Sequence, residues 1–191
     1  MYEQEIAQLR AMATSSDPDR LGRYRTIRKH RDHALARAVV KMAQSLLTAS
    51  GYQPDSSLSP AENYRRALEA VENHLAHSSI PVAEQQLLAL TGIGALRGWH
   101  VELADEEHDL LVYYSDTEEI DPVVVHRLAK ALDRSPDQEP LLWLHITAAA
   151  SEEPEETRLV LAAVRSLLDE VPLNEMDDVV GKVIIDSIMG G

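Results

Sequence analysis

Apolar residues recur at intervals of three and four through most of this chain, the repeat of a helix with one buried face rather than the alternation of a strand. The clearest case is Tyr64, Leu68, Val71 and Leu75, preceded by Ser59-Pro60-Ala61-Glu62. That tetrad is a capping-box arrangement, in which the serine oxygen and the glutamate carboxylate each take up a free N–H of the first turn. A longer helix is predicted between Asp17-Pro18, an N-cap followed by proline where a missing N–H costs nothing, and Gly51, a left-handed stop. Its stripe of Leu35, Ala38, Met42 and Leu46 is continued before Ala34 only by Leu21, Tyr24 and Ile27. The second half of this helix is therefore expected to pack, and the first half to protrude in part or lie on the surface.

Pro81 opens a third helical stretch through Leu87, Leu88 and Leu90, expected to fade at glycines 92, 94 and 98. Trp99, Val101 and Leu103 then alternate with His100 and Glu102, and Leu111 to Tyr114 are β-favouring, which predicts a hairpin near 99–114, one continuous helix being the alternative. Four helices follow, over Asp121-Pro122 to Leu132, Gln138 to Ala150, Pro154 to Glu170 and Leu173 to Met189, each junction carrying a breaker. The expected fold is mainly α: a single-domain helical bundle over 1–191 with a long N-terminal basic helix over 17–50 and one β-hairpin. No fixed repeat connects the helices.

Composition narrows this only a little. With no phenylalanine and two tryptophans in 191 residues, the core must be filled by Leu, Val, Ile and Ala. The absence of cysteine removes disulfides, thiolate ligands and a cysteine nucleophile, and fits a cytoplasmic location. Met1 to Glu5 carry neither the basic start nor the apolar run of a secretory signal, so none is expected. The most apolar stretch, Leu141 to Ala150, is far short of the roughly 20 residues needed to span a bilayer.

Charge changes the picture more. Residues 1–41 hold nine basic and five acidic residues, a net of +4, while 42–191 hold nine basic and 27 acidic, a net of −18. Eight of the 18 Lys and Arg lie between Arg20 and Lys41, where Asp32 is the one acid. Arg23, Arg28, Lys29, Arg31, Arg37 and Lys41 are accordingly the candidate partner-binding residues, with His30 on the same stripe.

Other constellations point to chemistry less well. His30/His33 and His74/His77 each share a helix face and together could hold a divalent metal, but the first pair sits among cations and His77 suits a helix C-terminus, so no metal is expected. Gly92-Ile93-Gly94 with Gly98 lacks the strand that precedes a dinucleotide-binding loop. His145 is read as a core residue rather than an acid or base, and Asp105 to Asp109 as a solvated cluster. No cofactor and no catalytic residue is assigned.

The function expected from these features is that of a non-catalytic protein–protein interaction module, an adaptor, assembly chaperone or regulator. Its partner is another protein with an acidic surface, or a second copy, and docking of the basic helix on the acidic body of its own chain is the intramolecular alternative. Nucleic-acid contact through residues 20–41 is disfavoured by the anionic remainder, and membrane binding by the thin apolar face opposite the charges. A helical-bundle enzyme with unassigned histidines and carboxylates is the further alternative.

Overall fold

The computed structural model describes residues 1–97 and 121–174, and among these every regular element is a helix. They are α1 (Glu3–Ala13), α2 (Pro18–Ala49), α3 (Pro60–Leu75), α4 (Val82–Arg97), α5 (Pro122–Asp133), α6 (Glu139–Ala150) and α7 (Pro154–Leu168). The hairpin expected over 99–114 and most of the helix expected over 173–189 lie outside the described residues.

The punctuation works as its chemistry requires. Asp17 Oδ1 accepts from the Asp19 N–H at 3.0 Å at the start of α2, and Gly51 closes it at φ 74, a conformation that disfavours side chains. At α3, Ser59 Oγ accepts from the Glu62 N–H at 3.3 Å while Glu62 Oε2 accepts from the Ser59 N–H at 3.0 Å. These bonds from the Ser59 backbone and hydroxyl hold the Glu62 carboxyl below the ordinary glutamate range. Asp121 Oδ1 caps α5 through the Val123 N–H at 2.9 Å.

The chain falls into two compact units, one of residues 1–35 with 146–191 and one of residues 36–145. In the first, α1 packs on α7 and buries Leu9 and Met12. The spacing of Ile6, Leu9 and Met12 encodes this helix, which the breaker-based reading missed. The first half of α2 has a buried stripe here as well: Tyr24 and Ile27 are 1% and 2% exposed. This stripe carries the half of α2 that was expected to protrude in part into the core of its unit. The end of α7 is a Schellman motif, with the Glu170 and Val171 N–H groups bonding the Leu167 and Ser166 carbonyls.

In the second unit α3 packs on α4, and α4 on α5. The buried face of α3 is Asn63, Tyr64, Ala67, Val71 and Leu75, so Leu68, expected inward, is only half-buried. Asn63 fastens the preceding loop: its Oδ1 accepts from the Tyr52 hydroxyl and the Asp55 N–H, both at 2.9 Å, and its Nδ2 donates to the Asp55 carbonyl.

The glycines of α4 correct the sequence reading, because the helix runs through Gly92 and Gly94 to Arg97. Gly92 is needed for closeness: a Cβ there would stand 2.7 Å from the Ala43 carbonyl oxygen of α2. At Gly22, by contrast, a Cβ would meet nothing within 4 Å.

The same substitution should therefore have opposite signs at two helical sites. Gly22→Ala is expected to stabilise by about 0.5–1 kcal/mol through helix propensity. Gly92→Ala should instead destabilise by roughly 1–3 kcal/mol, because backbone must move; urea unfolding of the two variants checks both signs. Ser59→Ala should cost about 1 kcal/mol near neutral pH. Since the folded-state pKa of Glu62 is depressed, its contribution is present above the ordinary glutamate value and is lost as pH falls through the folded value. The gap between wild type and Ser59→Ala should narrow on acidification, which thermal melts across that range would show.

Candidate functional site

A helix with one buried stripe distributes its remaining residues over two flanks and an outer face, and this division sorts the cations of α2. In the first unit the buried stripe contains Tyr24, Ile27, Arg31, Ala34 and Leu35. Arg31 is 2% exposed, and its Nη2 lies 3.0 Å from Asp32 Oδ1. It is a core residue, not part of a surface. Arg28 lies half-buried on one flank, its guanidinium carbon 5.9 Å from the Tyr24 ring centroid, a cation–π arrangement.

The opposite flank faces the first turn of α7. Arg23 Nη2 donates to Glu155 Oε1 at 3.1 Å, and His30 Nδ1 donates to Glu156 Oε1. Arg158, one turn along α7, pairs with Glu5 of α1 at 2.6 Å, so the first two turns of α7 are joined by side-chain contacts to both α1 and α2. The long-range carboxylates Glu5, Glu155 and Glu156 had no sequence signature. Acids in a helix's first turn ordinarily indicate no more than a favourable interaction with the helix dipole.

The outer face carries Arg25, Lys29 and His33, which succeed one another at four-residue intervals and are exposed. None of the three has an ion-pair or hydrogen-bond partner among the described residues. The spacing places their attachment points about 6 Å apart along the helix. In the second unit Arg37 and Lys41 are likewise exposed and unpaired among the described residues. Of the sequence-selected residues, Arg23, Lys29, Arg37 and Lys41 thus reach the surface, Arg28 reaches it in part and Arg31 does not.

The other candidates have simpler settings. His33, His74 and His77 are exposed and His145 is half-buried, while His126 of α5, not singled out from sequence, is 4% exposed. No cluster of three or more histidines and carboxylates able to hold a metal occurs among the described residues. Gly92, embedded in a helix against Ala43, is not part of a phosphate-binding loop. The acidic run 105–109 lies outside the described residues. Among the described residues no helix is long and apolar enough to cross a membrane.

Comparison with protein-family models, curated proteins and solved structures finds no match.

The sorting of α2 is testable by stability alone. Arg31→Ala removes a buried side chain with its ion pair to Asp32 and leaves a cavity in the core, and should destabilise by roughly 2–4 kcal/mol. Arg25→Ala, on the outer face, should change stability by less than about 0.5 kcal/mol. Equal effects in chemical denaturation would mean that the buried stripe has been misplaced.

Proposed function

We propose that this protein is a non-catalytic protein–protein interaction module, of the adaptor, assembly chaperone or regulator kind, whose outer face of α2 receives an acidic helical segment of another protein. The observation that carries this reading is the run Arg25, Lys29 and His33: three exposed basic side chains in register, with no partner among the described residues. An acidic helix with carboxylates three or four residues apart repeats at about the same 6 Å, so successive pairs can form along both axes. Charge complementarity of this kind contributes mainly to encounter rate and orientation.

An acidic peptide is favoured over nucleic acid on charge density. Duplex DNA carries one charge per roughly 1.7 Å, and such a polyanion is repelled more strongly by the −18 remainder of the chain than a peptide of modest charge. Arg37 and Lys41 of the second unit are further exposed cations on α2 and belong to the candidate set on the same grounds.

The test uses a synthetic helical peptide with Glu at every third and fourth position, its binding followed by fluorescence anisotropy. Wild type should bind, and binding should weaken as salt approaches about 0.2 M, where exposed charges are screened beyond roughly 7 Å. Arg25→Glu/Lys29→Glu should bind about tenfold or more weakly with unchanged helical content, that factor corresponding to about 1.4 kcal/mol. Equal binding by the variant would refute the assignment of the face. Stronger binding of a single-stranded oligonucleotide than of the peptide would favour the nucleic-acid regulator instead, and concentration-dependent self-association lost in the variant would point to a second copy.

A further inference from the structure

Two sets of accessible basic groups lie side by side on α2 in the first unit. Arg25, Lys29 and His33 have no partner among the described residues, whereas Arg23 and His30 are held by two consecutive glutamates of the same chain. Both pairs lie within reach of water: side-chain exposure is 52% for Arg23 and 77% for Glu155, and 41% for His30 and 29% for Glu156. An exposed ion pair such as Arg23–Glu155 contributes between nothing and about 1 kcal/mol and so exchanges partners readily, and the half-buried His30–Glu156 hydrogen bond lies beside it on the same flank. Arg23 and His30 lie seven residues apart, two helical turns, on the edge of the outer face that turns toward α7.

We infer that Glu155 and Glu156 are an internal stand-in for the partner's carboxylates: in the free protein they cover Arg23 and His30, and an acidic helix docking on Arg25, Lys29 and His33 displaces them and extends its contact to all five basic groups. This inference rests on the proposed function and adds to it a competitor within the chain. Charge complementarity supports it directly, since the groups now occupying Arg23 and His30 are carboxylates on a helix turn, the chemistry assigned to the partner. The geometry supplies a comparison too. Glu152 and Glu153 stand just before the same helix, are exposed, and engage no cation among the described residues.

The experiment measures binding of the same Glu-bearing helical peptide to three proteins: wild type, Glu155→Gln/Glu156→Gln and Glu152→Gln/Glu153→Gln. Both variants remove two negative charges from one short stretch, so any general change in protein charge affects them alike. Removing the competitor should tighten binding by about 2- to 20-fold, as expected for the release of one exposed ion pair and one half-buried hydrogen bond. The Glu152/Glu153 variant should stay within about twofold of wild type, a difference of roughly 0.4 kcal/mol. Adding Arg23→Gln to the Glu155/Glu156 variant should reverse part of the gain, a readout that mere loosening of α7 would not move. If wild type binds the peptide and the two Gln variants bind equally, the internal competitor is refuted while the docking face stands. If neither wild type nor the Glu155/Glu156 variant binds, the proposed function itself fails. Unchanged thermal melting of the Glu155/Glu156 variant establishes that its fold is intact, and if it melts early, the single variants Glu155→Gln and Glu156→Gln give the same comparison, each with about half the effect on a logarithmic scale.

Discussion

The buried stripe of α2 is the constraint on which both compact units depend. Tyr24, Ile27, Ala34 and Leu35 supply the first unit, and Ala38, Val39, Met42, Ala43, Leu46 and Leu47 the second, all from one helix of 32 residues. Burial of such a stripe is the main source of a helix's stability in a protein, since propensity alone holds a helix only marginally in water. Once the stripe is fixed, the positions of the charges follow. Basic side chains at Arg25, Lys29 and His33 fall on the outer face, those at Arg23 and His30 fall on a flank, and Arg31 falls inside. The basic character of the segment is thus a single property in composition and three different properties in space.

Much of the secondary structure was legible because its signals are local. Asp17, Ser59 and Asp121 cap helices through their own side chains, and Gly51 takes the left-handed conformation its position called for. What was not legible depends on contacts between distant parts of the chain. Nothing near Gly92 in sequence announces that Ala43 will lie against it, so a glycine that permits close packing looked the same as one that ends a helix. Tyr24 and Ile27 seemed too sparse to form a packed face, but two large side chains are enough where a buried arginine continues the stripe. Arg31 is the instructive residue for the site: its charge placed it with the surface cations, while its spacing from Tyr24 and Ile27 placed it with the core.

The carboxylates facing α2 show a second limit. Glu155 and Glu156 sit more than a hundred residues from their partners, and their sequence context, a first turn after Pro154, already has a sufficient explanation in the helix dipole. A residue can satisfy a local preference and a distant partner together, and the local one conceals the other. Charge counting over 42–191 treated these acids as a uniform anionic body, although two of them are committed to specific basic groups.

The approach of α4 to α2 at Gly92 has a mechanical meaning. Most helix contacts are made through side chains, which absorb small displacements by changing rotamer. Here a carbonyl of one helix meets the bare backbone of the other, leaving no torsion between them to adjust. Such a contact sets the separation of the two helices by backbone alone, so it has no softness of its own: a changed side chain nearby can be absorbed by another rotamer, whereas a group added between the two backbones can be absorbed only by moving a helix.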